Sequence, residues 1–182
     1  MVAYKAFNKD LTCMGYQYIT DGWNEEPEAN CVRNGFHCAE NPLDCLRYYP
    51  NFKKSRYWIV EAEGDLDEDA IDSKISCTRM RLVRELDLQD FVVETVKYML
   101  KHPKERKRYH SEHNGIDIRC GKHVKVKAGV GTVLGLIEER NGVVLAAGVT
   151  TVRTSKMTYC IEGGRIVEKE DEAVGQKLEK RI

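Results

Sequence analysis

The sequence predicts an α+β protein: a mostly antiparallel sheet module with a central helix, followed by a β-hairpin-rich segment. Three observations carry this. Short runs in the first half alternate apolar and polar side chains, as half-buried strands do. One stretch, "LQDFVVETVKYMLKH", repeats apolar residues at helical spacing. In the second half, Asn141-Gly142 and Gly163-Gly164 mark tight turns between β-branched runs, because these residues accept the positive φ that a hairpin turn requires.

The opening "AYKAFNKDLTCMGYQYITDG" breaks at Gly15 and at Asp21-Gly22, which gives two short strands, and "NEEPEANCVRNG" is a polar connection. Asn41-Pro42 starts a short helix through Leu43, Leu46 and Arg47 that ends near Pro50, since proline at a first helical position surrenders a donor that has no partner there. "RYWIVEAEG" (56–64) is the best-patterned strand of this half, "DLDEDAIDSK" an acidic loop, and "SCTRMRLVREL" (76–86) a further strand. Asp87 caps a helix carrying Leu88, Phe91, Val92, Thr95, Val96, Met99 and Leu100 on one side, and Pro103 breaks it. "PKERKRYHSEHNG" is a basic second helix or extended arm that stops at Asn114-Gly115. About four strands follow, then a charged tail. The expected organisation is a module over 1–114 with the acidic loop and the central helix, a small β-rich segment over 115–168, and a charged tail over 169–182.

The chain has 182 residues, of which 42% are apolar and 32% charged, as in soluble globular proteins. No run reaches transmembrane length, and the N-terminus lacks the apolar core of a secretion signal, so a cytosolic location and reduced thiols are expected. Seven cysteines, an odd number, argue against a complete disulfide framework. The net charge of zero hides two poles: residues 1–91 hold 11 Lys+Arg against 17 Asp+Glu (−6), and residues 92–182 hold 18 against 12 (+6).

Four constellations invite a chemical reading. Cys31, Cys38 and Cys45 lie seven apart, with His37 and Cys13 near them, but no closely spaced ligand pair is present, and small buried thiols are the expectation. His37 and Cys38 are adjacent, so on an extended chain they face opposite ways and cannot form a nucleophile–base pair. No catalytic residue, metal or cofactor is assigned. The third constellation is Glu61, Glu63, Asp65, Asp67, Glu68, Asp69 and Asp72, seven acids in twelve residues without a Lys or Arg. Such a run is either a solvated loop or a surface that imitates nucleic-acid phosphates in a basic groove. Fourth, from Lys97 to Lys127 ten Lys+Arg face three acids; within it Lys101, Lys104, Arg106, Lys107 and Arg108 are candidates for phosphate contact.

"AYKAFNKDLTCMGYQY", "NGFHCAENPLDCLRYYP", "RYWIVEAEGDL" and "DSKISCTRMRLV" together resemble an uncharacterised domain family of bacterial phages and mobile elements. That pattern runs Tyr-Lys-Gly-Phe, Gly-Phe-His with a nearby Cys, Asn-Pro-Leu-Asp, Tyr-Tyr-Pro and Asp-Ser-Lys, over about the first 90 residues. This chain departs from it at Ala6, where the pattern has Gly, and at Cys38, one place early, so no cysteine-based site is carried over. The resemblance implies a mobile-element protein in the cytoplasm of a bacterial host. In kind it is similar to anti-CRISPR inhibitors of Cas9: the acidic run would act as a DNA mimic on Cas9 or another host nucleic-acid-binding effector. Two alternatives stand beside it. Glu61-Ala62-Glu63 after a strand is similar to the Glu-x-Glu pair of some ADP-ribosyltransferases, without the accompanying Arg or Ser-Thr-Ser. The basic segment would suit a DNA-binding accessory protein. The oligomeric state is open.

In this reading "NGFHCAENPLDCLRYYP" is scaffold. Phe36, Leu43, Leu46 and one of Tyr48 and Tyr49 pack a short helix on the sheet, while His37, Asn41 and Asp44 supply turn and capping hydrogen bonds.

Overall fold

The computed structural model describes residues 1–31, 33–68, 73–106, 111–113 and 115–170. The chain divides into two compact units, Met1–Phe91 and Val92–Ile182. The α+β class holds, with antiparallel pairing predominant and one main helix.

The first unit contains β1 (Val2–Asn8), β2 (Thr12–Cys13), β3 (Tyr16–Gln17), β4 (Trp23–Glu25), β5 (Phe36–Ala39), a 3₁₀ helix (Pro42–Arg47), β6 (Ser55–Glu68) and β7 (Lys74–Leu86). β1 pairs with β5 and β6, and β7 pairs with both of those strands, so four antiparallel strands close into a ring, with β4 added on β7. Closure removes the unpaired edges that an open sheet would expose. Ala3, Phe7, Phe36, Cys38, Val60, Ala62, Cys77 and Met80 fill the ring. Tyr16 and Tyr18 stack edge-on against Phe7 and Phe36 with ring centroids 4.8 to 5.3 Å apart.

β6 and β7 run longer than their sequence patterns suggest. Asp65–Glu68, expected in a loop, continue β6. The strand passes them by a bulge between Glu63 and Leu66 that is built on Gly64 at φ +80°. A Cβ there would lie 2.0 Å from Thr78 Oγ1, the oxygen that accepts the Asp65 N–H at 3.0 Å. Asn41 caps the 3₁₀ helix, its Oδ1 accepting the Leu43 N–H at 3.1 Å. Leu43 and Leu46 are buried. Phe91 closes the unit, packing with Phe52 and Tyr57 at centroid distances of 5.1 Å.

Helix α1 (Leu88–Lys101) begins at the expected cap, where Asp87 Oδ1 accepts the Asp90 N–H at 2.7 Å. Phe91, Val92, Thr95, Val96 and Met99 are buried, whereas Leu88 is half-buried and Leu100 exposed. Pro103 ends the run and opens α2, the short turn Pro103–Arg106. The second unit continues with β8 (Ser111–His113), β9 (Ile116–Gly121), β10 (Lys125–Val126), β11 (Val133–Arg140), β12 (Val143–Thr151), β13 (Met157–Glu162) and β14 (Arg165–Glu170). They form the sheets β12-β11-β9-β8 and β10-β13-β14, more strands than the turn signals alone suggest. β9 and β11 are parallel, an exception to the antiparallel rule. Both predicted hairpin turns form, with positive φ at Asn141, Gly142, Gly163 and Gly164. Gly135 lets α1 approach β11: a Cβ there would meet Val92 and Val96 at 2.9 to 3.0 Å. Among the described residues no helix is long and apolar enough to cross a membrane.

Candidate functional site

The predicted acidic surface is partly self-neutralised. Glu61 lies opposite Arg81 on β7 and pairs with it, and Glu63 lies opposite Arg79, which it meets at 3.3 Å. Both acids leave β6 on one face, as their spacing requires. Arg79 and Arg81 stack on Trp23 at 4.6 and 5.2 Å, and Arg79 also reaches Glu25 at 3.2 Å. Asp67 accepts the Cys31 N–H at 2.7 Å. Asp65 and Glu68 are exposed, and among the described residues their carboxylates have no partner. Asp69 and Asp72 lie outside the described residues.

Of the basic candidates, Lys101 and Lys104 are exposed, and Lys107 and Arg108 lie outside the described residues. Arg106 is not a surface contact. It is 4% exposed, bonds Glu139 at 2.6 Å, and donates to the carbonyls of Met99, Leu100 and Gly142 at 3.0 to 3.3 Å. It closes the C-terminal end of α1, whose last carbonyls have no partner within the helix. A guanidinium has five donors, which is why it suits this place and why it is spent there.

The cysteines do not assemble. Cys38 and Cys77 point into the ring and share a hydrogen bond; that bond, followed by burial, pushes the Cys38 thiol up, and the same bond pulls the Cys77 thiol down against the burial that raises it. Burial pushes Cys45 up to about 12. Neither Cys38 nor Cys45 is therefore a ready thiolate. Cys31 Sγ lies 3.8 Å from the Lys74 carbonyl. Among the described residues no three His, Cys, Asp or Glu side chains gather where they could hold a metal ion.

What the strands do build is a cavity of about 470 Å³ in the first unit. Its walls come from three adjacent places: Tyr4, Lys5 and Ala6 on β1; His37, Cys38 and Ala39 on β5; and Asp44, Cys45, Tyr48 and Tyr49 on or just after the 3₁₀ helix. Cys13, Met14 and Lys74 complete it. The stretch from His37 to Tyr49, expected as scaffold, is thus both scaffold and cavity wall. Phe36, Leu43 and Leu46 pack and Asn41 caps as expected. Asp44 accepts from Ser73 N and Oγ at 3.2 and 2.7 Å.

Lys5 is the unusual member. It follows the alternation of Ala3 and Phe7, so its stem leaves β1 toward the core, and the residue is 4% exposed. Its Nζ donates to the His37 carbonyl at 2.6 Å and lies 3.7 Å from Cys13 Sγ. It sits 5.3 and 5.1 Å from the ring centroids of Phe7 and Tyr18. Among the described residues no carboxylate is within ion-pair distance of it. Lys74 Nζ bonds the Tyr48 hydroxyl at 3.0 Å. Burial, then the positive charges of Lys5 and Lys74, hold the half-buried His37 imidazole below its ordinary range, so near neutral pH it is uncharged. Burial and then a bond with Cys13 push the Tyr49 phenol up, so it stays protonated. The cavity therefore offers apolar walls, an uncharged imidazole, phenol donors and a buried ammonium. Sequence reading missed Lys5; the one signal available was a lysine in the apolar phase of an alternating strand.

The first 94 residues match a family described as a domain of unknown function (DUF7666), and the chain belongs to that family. No curated protein and no solved structure matches the chain. Every residue lining the cavity falls within the matched span.

Proposed function

We propose that this chain is a binding protein whose first unit receives a small ligand in the cavity between β1, β5 and the 3₁₀ helix. One observation carries the reading: the 470 Å³ cavity combines apolar walls with a few converging polar groups, the pattern of a small-molecule site. At roughly 30 Å³ per water-sized group, it has room for about fifteen such groups. Seven thiols, free among the described residues, suit a reducing compartment such as the cytoplasm. The test is calorimetry on the full chain with octanoate, octan-1-ol and octylamine, which share a chain and differ in head group. Saturable binding of at least one, lost in a Cys13→Trp variant that plugs the wall, is the expected result. Binding of none, or binding that survives the plug, contradicts the reading.

A second reading is favoured by Asp65 and Glu68, exposed and without arginine partners at the far end of β6. In it the chain inhibits Cas9 or a similar nucleic-acid-binding effector by presenting that end to a basic groove. The arginine pairs of Glu61 and Glu63 limit the charge available, so the acids beyond Gly64 must carry the contact. Changing Asp65, Asp67, Glu68 and Asp69 to Asn or Gln should leave folding intact and abolish binding to a Cas9–guide complex. A quadruple variant that binds as the parent does would sink it.

A further inference from the structure

Resting on the cavity reading above, we infer that the ligand is an amphiphilic anion: an apolar body with a carboxylate or phosphate head that meets the Lys5 ammonium.

The argument starts from the cost of the ammonium. A lysine is almost never fully buried unless paired, yet Lys5 is buried with no carboxylate in reach among the described residues. An ammonium has three donors and no acceptor. One is taken by the His37 carbonyl and one is directed at a thiol sulfur, a weak acceptor. The site therefore lacks a counter-charge and a strong second acceptor, and an anionic oxygen supplies both. Lys5 lines the cavity, as do Cys13 and His37, the two residues its Nζ bonds, so that oxygen can arrive without unfolding β1.

The other cation of the cavity agrees in sign. Lys74 stands on the same wall and bonds Tyr48. Among the described residues lining it the one acid, Asp44, is committed to Ser73 and also faces Arg47 at 3.7 Å. His37 is met by Lys5 from β1 and by Lys74 from β7, with Asp44, the phenols of Tyr4, Tyr48 and Tyr49 and the thiols of Cys13, Cys38 and Cys45 completing the titratable groups around the cavity among the described residues. Two cations close enough to reinforce the effect of burial on the imidazole create the positive potential that an anionic head would occupy. The remaining surface, built by Tyr4, Ala6, Ala39 and Tyr48, offers nothing for a second charge and suits an apolar tail.

The inference is tested by affinity ratios on the full chain. Octanoate should bind at least about tenfold more tightly than octan-1-ol, the equivalent of one charge-assisted contact. The comparison is conservative, because the alcohol is the more apolar of the two. Inorganic phosphate alone should bind weakly, for lack of a tail; octyl phosphate against octanoate then separates a phosphate head from a carboxylate. Lys5→Met should erase the preference for octanoate over octan-1-ol. A measurement on the parent protein alone guards against misfolding of the variant. The His37 ring titration, followed by NMR, should move to higher pH when octanoate is bound and stay put with octan-1-ol. Tighter binding of the alcohol or of octylamine, or an unmoved His37, overturns the anion while leaving the cavity reading standing. Failure of all the probes removes both.

Discussion

Replacing Lys5 by methionine separates a residue kept for stability from one kept for binding. Burying an ammonium costs several kcal/mol even after the surroundings relax. The structure returns one charge-assisted hydrogen bond, to the His37 carbonyl at 2.6 Å, worth about 1.5–3 kcal/mol. It also places Nζ about 5 Å from the Phe7 and Tyr18 rings, worth about 1–2 kcal/mol when desolvated. Cost and return therefore nearly cancel. Methionine keeps the unbranched stem and gains sulfur–aromatic contact of about 0.3–1.5 kcal/mol with the same rings. The carbonyl it leaves borders the cavity, where water can bond it. The variant should thus unfold within about 1 kcal/mol of the parent. Urea unfolding followed by tryptophan fluorescence reads this cleanly, since Trp23 and Trp58 both lie in the first unit. A loss of more than about 3 kcal/mol, the scale of a broken buried pair, would show that Lys5 is a structural tether and refute the reasoning.

Three further outcomes follow from the same structure. His37 is held below its ordinary 6.5, so the unfolded chain takes up a proton there that the folded protein refuses, and stability should fall as the pH drops below about 6.5 through the folded pKa; His37→Gln should remove that part of the slope, and parallel stability–pH curves for parent and variant would contradict it. Gly64→Ala should cost about 1–3 kcal/mol in urea unfolding, because it puts a Cβ at φ +80° against Thr78 Oγ1, whereas an unchanged midpoint would mean the bulge is not needed. Arg106→Met should destabilise by about 3–5 kcal/mol, since it strands Glu139, 12% exposed, without its partner; Lys104→Ala, at an exposed position, should leave the melting temperature unchanged, and equal effects of the two would reverse the assignment of Arg106 to structure.

What was legible in the sequence was what local physics dictates. Helical spacing from Phe91 to Met99, the Asp87 cap, the Asn141-Gly142 turn and the strands around Ile59 and Met80 all form where patterning places them. The two charge poles, −6 and +6, coincide with the two units. Three things were hidden because they depend on non-local partners. Gly64 was read as the end of a strand, but Thr78, fourteen residues on, makes it a bulge within a longer one. The parallel β9–β11 pair comes from a crossover that no turn signal announces. The cavity draws on Lys5, His37 and Lys74, which no spacing rule connects; pairing of β1, β5 and β7 brings them together. Counting charges along the chain misled in two places for the same reason: Glu61 and Glu63 face Arg81 and Arg79 across the strand pair, and Arg106 turns inward to Glu139.

The most direct test of the central claim is an intermolecular NOE experiment on the full chain saturated with octanoate. Contacts from the octanoate chain to Tyr4, Ala39 and Tyr48, with the carboxylate-proximal methylene nearest Lys5, are predicted. Contacts instead to exposed apolar side chains of the second unit, such as Val143 and Leu145, or none at all, would contradict it.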